Sequence, residues 1–98
     1  MSERVATAAA HLVLASEADR ASGLLFYASL TLAPIRVRID GVTIRRKRNG
    51  DRGVSWPARR SADGRLYPIV QILDPIVRAE LERLLLDEAR RVQRDLSP

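Results

Sequence analysis

The last quarter of the chain carries an apolar stripe at helical spacing. Asp74 offers a side-chain acceptor at the N-cap position, and Pro75 suits the first helical position because its missing N–H is not needed there. A long amphipathic helix must cover its stripe, so the preceding chain has to supply an apolar face. The stripe consists of Val77, Leu81, Leu84, Leu85 and Val92.

The chain upstream alternates with the period of two that is typical of strands. Apolar residues at every second position of Leu24–Leu32 predict a strand with one buried face, although propensity alone would also allow a helix over Leu24–Leu30. Ile35–Ile39 alternates more strictly, and we expect Arg36 and Arg38 to share its polar face.

Turn signals divide the rest of the chain into short segments. Asp40-Gly41 predicts either a tight turn or a β-bulge within a longer strand. Asn49-Gly50-Asp51 predicts a hairpin loop, and Pro68 restricts its strand to an edge or an irregular pairing. The remaining expected elements are a strand over His11–Ala15, a turn over Ser16–Gly23, a return strand over Gly53–Trp56 and a strand over Arg65–Leu73.

Together these elements predict an α+β fold, with a small antiparallel β-sheet of about four to five strands and one long C-terminal α-helix packed on it. The 98 residues are expected to form a single domain over residues 1–98, with residues 1–8 frayed. Aromatic residues are few, so the core must rest on Leu, Val, Ile and Ala, and dimerisation would be a natural way to stabilise it.

Composition excludes several classes of protein. The chain has no cysteine, which removes disulfides and cysteine-based metal sites and fits a reducing compartment. No apolar run approaches the ~20 residues that span a bilayer, and the N-terminal residues lack the pattern of a signal peptide. We therefore expect a cytoplasmic protein that does not bind membranes.

The positive charge is concentrated in the middle third of the sequence. The whole chain carries a formal net charge of +5, but residues 35–65 hold ten cationic side chains against three carboxylates. Such a concentration is typical of a surface that binds a polyanion. The candidate nucleic-acid-binding residues are Arg36, Arg38, Arg45, Arg46, Lys47, Arg48, Arg52, Arg59 and Arg60.

The segment Val54–Gly64 lies at the centre of this basic region. Pro57 has no N–H to donate, so it is expected to end the strand that precedes it. Arg59 and Arg60 follow on a segment that we expect to be an exposed loop, and Asp63-Gly64 predicts a reversal into the next strand.

This segment resembles the SpoVG family of small bacterial septation and sporulation regulators. The family pattern Val-Ala-Met-Pro-Ser-Lys-Arg-Thr-Pro-Asp-Gly aligns without a gap with Val54–Gly64, and Val54, Pro57, Arg60 and the final Asp-Gly are identical. Ser29–Leu32 is similar to the family's Ser-Ile-Thr-Leu, and both have a long terminal helix. The family's Asp-Ile-Ala-His-Pro-Ile is absent, which makes the chain similar to a diverged member.

The resemblance implies a β-sheet with a C-terminal helix, a homodimer, and DNA or RNA binding that regulates gene expression. The family's Lys-Arg pair, which is implicated in DNA contact, corresponds to Arg59 and Arg60.

Each candidate also has a simpler interpretation. Basic loops are often only solvated, and Arg36 and Arg38 would suit the exposed side of any strand. Core or dimer-interface packing is the favoured interpretation for Trp56 and Tyr27, whereas Tyr67 is the better candidate for stacking on a base. The single histidine, His11, is expected to be structural.

Two functional hypotheses follow. The first is a homodimeric nucleic-acid-binding regulator whose basic hairpin and loop contact phosphates, with DNA and RNA both open as ligands. The alternative is a protein-interaction module that binds an acidic partner. The sequence shows no phosphate loop, nucleophile elbow or metal motif, so neither an enzyme nor a cofactor, metal or small-molecule substrate is expected.

Overall fold

The computed structural model describes residues 7–96, and strands precede the long helix as the sequence predicts. Four strands form an antiparallel sheet in the order β1-β2-β3-β4, and two further strands form a separate ribbon, β5-β6. The α+β fold class is thereby confirmed. In chain order the elements are β1 (Thr7–Leu14), α1 (Glu17–Ala21), β2 (Leu24–Ala33), β3 (Val37–Arg46), β4 (Arg52–Ser55), β5 (Ala58–Arg60), β6 (Leu66–Pro68) and α2 (Pro75–Leu96).

The core lies between α2 and one face of the four-stranded sheet. Leu81 and Leu85 of the expected stripe are buried, Leu84 and Val92 are partly buried, and Val77 is exposed. Ala89, which the stripe did not include, completes the buried row. The sheet contributes Phe26, Ala28 and Leu30 from β2, and Val42 and Ile44 from β3.

Local hydrogen bonds fix where α2 begins and how it is held. Asp74 Oδ1 accepts from the backbone N–H groups of Ile76 (2.9 Å) and Val77 (3.3 Å), which confirms the expected N-cap. Trp56, just after β4, donates from Nε1 to Glu82 Oε2 at 2.7 Å and packs against the core. This hydrogen bond links the segment that follows β4 to the surface of α2.

A β-bulge interrupts β3. Ala28 is paired with Val42 and Leu30 with Ile39, so two residues of β3 lie opposite the single residue Ser29. One of them, Gly41, has φ +84°, a value that favours glycine. The Asp40-Gly41 signal therefore marks a bulge and not a tight turn.

Several expected boundaries are wrong. The return strand expected over Gly53–Trp56 spans Arg52–Ser55. The expected turn Ser16–Gly23 contains α1, because Ser16 Oγ caps it by accepting from Asp19 N. Ile35 and Arg36 lie in the β2–β3 turn and not in a strand, after a cis Ala33–Pro34 bond. Only Leu66–Pro68 of the expected Arg65–Leu73 strand is extended and paired.

The first strand is longer than expected. It begins at Thr7 and pairs with β2 throughout, from Thr7 opposite Ala33 to Leu14 opposite Phe26. Of the segment expected to be frayed, residues 1–6 lie outside the described residues, whereas Thr7 and Ala8 belong to β1.

The core assignment can be tested with two matched substitutions on the sheet. Val42→Ala, at a fully buried position, should destabilise the fold by about 2–3 kcal/mol because it removes two methyl groups and leaves a cavity. Val13→Ala, on β1 and 54% exposed, should cost under about 1 kcal/mol. Urea denaturation followed by circular dichroism measures both, and equal losses would contradict the assignment.

Candidate nucleic-acid interface

The β3–β4 hairpin presents the densest group of expected site residues. Arg46 and Arg52 are the last pair of the ladder, and Lys47 N donates to Asp51 O at 2.6 Å to close the loop. Within the loop, Asn49 Oδ1 accepts from Asp51 N at 2.9 Å. These bonds hold Arg48 at the exposed tip, as the Asn-Gly-Asp signal predicts.

The alternation of β3 places the hairpin cations on both faces of the sheet. Ile44 faces the core, so Arg45 lies on the opposite, uncovered face. There its positive charge opposes the rise in the pKa of Tyr27. Arg46 lies on the helix side and, with Arg52, lines a cavity there. We call the uncovered side of the four-stranded sheet the outer face.

Arginines from three separate parts of the chain meet on the helix side. A cavity of about 560 Å³ is lined by Arg20 of α1 together with Arg46 and Arg52, and an adjoining one of about 320 Å³ by Arg52, Arg90 and Arg94. We call this region, between α1, the hairpin and the end of α2, the basic cleft. Its arginines are Arg20, Arg46, Arg52, Arg90 and Arg94.

Little in the described chain neutralises the basic cleft. Arg46 and Arg52 are direct cross-strand neighbours, a position where like charges repel. No carboxylate lines either of its two cavities, although Asp51 lines a third cavity with Arg52 and Arg90. Among residues 7–96 only Arg90 of the five has an ion pair, at 3.5 Å from Asp87. Arg91, by contrast, is paired with both Glu88 and Asp95.

Sequence reasoning missed three members of the cleft. Arg90 and Arg94 are not among the candidate residues named from the sequence, and Arg20 lies in the segment expected to be a turn. The spacing of Arg90 and Arg94, four residues apart on a helix, is a signal that they share a face. No local signal could have placed Arg20 at the cleft, because its position there depends on how α1 packs.

Arg36 and Arg38 lie at the other end of the molecule. Ten residues of β3 separate the β2–β3 turn from the hairpin loop, a distance of roughly 30 Å. Arg36 lies in that turn with φ +59°, and Arg38 is paired with Asp40 at 3.2 Å. The expectation that these two arginines share a strand face is therefore wrong, and neither joins the hairpin group.

Arg59 and Arg60 lie on β5 of the ribbon, so the expected loop is wrong. Arg59 is opposite Tyr67 and Arg60 opposite Leu66, and all four side chains are exposed. Consecutive strand residues point to opposite faces, so the two arginines cannot act as one clamp. Arg60 Nη1 donates to Gly64 O at 2.7 Å, whereas Arg59 has no ion pair within residues 7–96 and shares a face with Tyr67.

Outside the ribbon, neither Tyr27 nor His11 lines the basic cleft or belongs to a metal site within residues 7–96. Tyr27 is 46% exposed on the outer face, which excludes the core alternative, and its hydroxyl donates to Asp19 Oδ2 at 2.9 Å. That hydrogen bond raises the pKa of the Tyr27 phenol. His11 is exposed, and residues 7–96 hold no group of three or more His, Cys, Asp or Glu side chains suited to a metal ion.

Comparison with known proteins does not test the SpoVG resemblance. No protein-family model matches the chain, and no curated protein matches its sequence. Within the described residues, no helix is long and apolar enough to cross a membrane. The resemblance therefore stays a prediction, and the functional argument depends on the geometry of the cations.

The turn of the ribbon should respond to pH through Asp63. The Ser61 hydroxyl, and then the Arg65 N–H, donate to this carboxylate and lower its pKa. Because the folded pKa is depressed, the stabilising effect is present above the ordinary aspartate pKa of about 3.9 and is lost as pH falls through the folded value. Carboxyl ¹³C NMR should show this low pKa. Ser61→Ala should raise it, and Ser55→Ala should leave it unchanged.

Proposed function

We propose that this protein is a nucleic-acid-binding regulator of gene expression, similar to the SpoVG family, and that the β3–β4 hairpin is its main contact with phosphates. The observation that carries the proposal is the gathering of the hairpin cations and the basic cleft at one end of the sheet. Eight cationic side chains belong to this end, which we call the basic end: Arg20, Arg45, Arg46, Lys47, Arg48, Arg52, Arg90 and Arg94.

Unpaired arginines suit phosphate binding for a physical reason. Each guanidinium stays charged at physiological pH and offers several N–H donors in a plane that matches two phosphate oxygens. A guanidinium already bound to a carboxylate would have to exchange that partner, whereas Arg46, Arg48 and Arg52 have no carboxylate within 4.0 Å in residues 7–96. Such contacts give affinity with little sequence discrimination.

The ribbon adds a second contact to the proposal. A two-stranded β-ribbon is narrow enough to enter the major groove of duplex DNA. Arg59 and Tyr67 share one of its faces, and both side chains are exposed, so that face can offer a cation and an aromatic ring together. Because a regulator of this kind meets its nucleic acid in the cytoplasm of a bacterium, we include that location in the proposal.

Salt dependence tests the role of the hairpin. The double variant Arg45→Gln, Arg48→Gln should lower the magnitude of the slope of log K against log salt by about 2 for duplex DNA, because each lost phosphate contact contributes about 0.9. Fluorescence anisotropy at four salt concentrations, with duplex DNA, single-stranded DNA and RNA as separate probes, measures the slope.

Arg83→Gln is the matched control for that experiment. Arg83 is an exposed arginine of α2 with no ion pair within residues 7–96, and it lines none of the cavities of the basic end. Its slope should equal that of the wild type. An unchanged slope in the double variant would contradict the proposal. Recovery of an acidic protein, with no absorbance excess at 260 nm, would favour the alternative of a protein-interaction module.

We also propose that the protein is a homodimer. Large apolar side chains follow the ribbon without being covered, including Ile69 (65% exposed), Leu73 (86%) and Ile76 (71%). Monomeric proteins rarely leave a run of such residues in solvent unless it binds something. A second copy of the chain is the proposed partner for these apolar side chains, because a dimer interface would also enlarge a small core.

Light scattering tests the dimer. The wild type should give twice the chain mass at micromolar concentration, and Leu73→Glu should give the mass of one chain because a carboxylate in an apolar interface is desolvated. Val13→Glu, at an exposed apolar position of β1, is the control and should stay dimeric. A wild type with the mass of one chain would contradict the proposal.

A further inference from the structure

The larger cavity of the basic cleft is lined by both cationic and apolar side chains. Its volume of about 560 Å³ lies within the range of about 300–1,000 Å³ that is usual for small-molecule sites. Arg20, Arg46 and Arg52 supply charge, and Leu14, Leu25 and Leu96 supply apolar surface. The cavity therefore suits an anion that also carries an apolar or flat group.

Arg20 is held at this cavity by the fold of the backbone. The Nε atom of Arg20 is buried and has no hydrogen-bond partner in the described chain. Its helix is followed by Gly23, whose carbonyl oxygen accepts from Arg46 N at 2.8 Å, so the turn after α1 is tied to the end of β3. Because the Nε atom is itself inaccessible, an anion in the cavity would accept hydrogen bonds from the terminal nitrogens of the Arg20 guanidinium.

Most of the other arginines of the basic cleft are exposed, and most of them also have no carboxylate partner. Arg46 and Arg52 repel each other across the ladder, and the adjoining cavity adds Arg90 and Arg94. Four of these five guanidinium groups have no carboxylate within 4.0 Å among residues 7–96. An anion of high charge is favoured over one of low charge at such a site.

We propose that the basic cleft binds the phosphate monoester of a nucleoside 5′-phosphate, either as a free mononucleotide or as the 5′ end of a strand. The second source rests on the proposed function. A phosphate monoester carries about −1.5 to −2 at pH 7, whereas an internal phosphodiester of a strand carries a single charge, so the cleft distinguishes an end from the interior. The apolar lining from Leu14, Leu25 and Leu96 would contact the nucleoside.

Isothermal titration calorimetry with adenosine 5′-monophosphate, adenosine and inorganic phosphate tests the chemistry. The monophosphate should bind, adenosine should not, and inorganic phosphate should bind more weakly because it makes no contact with the apolar lining residues. Affinity for the monophosphate should fall as pH drops below about 6, where the monoester becomes singly charged. Equal binding of adenosine and its monophosphate would overturn the proposal.

Two variants and one control locate the site. Arg20→Gln and Arg94→Gln should each weaken binding of the monophosphate by about tenfold or more, since each removes a hydrogen bond to a charged group. Arg83→Gln should change it by less than about twofold. The two variants lie on different helices, so a folding defect in one leaves the other to decide. Wild-type affinity in both variants would overturn the assignment.

Oligonucleotides separate the two sources and keep the inference distinct from the proposed function. A 5′-phosphorylated ten-nucleotide strand should bind more tightly than its 5′-hydroxyl counterpart, and Arg94→Gln should abolish the difference. If the two strands bind equally but the monophosphate binds, the free mononucleotide is the ligand. If neither the monophosphate nor the 5′ phosphate affects binding while the hairpin variants still lower the salt slope, this inference fails and the proposed function stands.

Discussion

The contact between α2 and one face of the four-stranded sheet is the interaction on which the rest of the structure depends. Leu81, Leu85 and Ala89 follow one another at intervals of one helical turn, and all three are buried against the sheet. This row fixes the direction of the helix across the strands. Because Arg90 follows Ala89 directly and Arg94 lies one turn later, the same packing brings both arginines to the β3–β4 hairpin.

Local chemistry accounts for the parts of the fold that the sequence could predict. The Asp74 cap, the Asn49-Gly50-Asp51 loop and the strand over Leu24–Leu32 each depend on residues within one element, and each is confirmed. The expected alternation holds only from Phe26 onward, because Leu25 is buried at a register shift in β2. The ribbon is harder to predict from the sequence, because its strands are only three residues long. Three residues are too few for a period of two to be distinguished from a loop, so the sequence alone predicts a loop at Arg59 and Arg60.

The arrangement of charge could be predicted only in part, because it depends on tertiary packing. The concentration of cations within residues 35–65 suggested one surface, but the length of β3 separates Arg36 and Arg38 from the hairpin. Conversely, Arg20, Arg90 and Arg94 belong to segments with nearly balanced charge and still meet at the cleft. Charge counted along a sequence therefore identifies a basic region, whereas strand direction and helix placement decide which cations act together.

The bulge in β3 has a consequence for the sequence as well as for the shape of the strand. Ile39 and Val42 both contact the core although they are three residues apart, a spacing that regular alternation forbids. The extra residue at Asp40-Gly41 resets the parity of the strand, so that the side chains on either side of it can be correct at once. If Asp40 and Gly41 both adopted regular strand conformation, with no residue removed, one half of β3 would be inside out and Arg38 would be directed into the core. The alternation of side chains along β3 therefore depends on the irregular position at Asp40-Gly41.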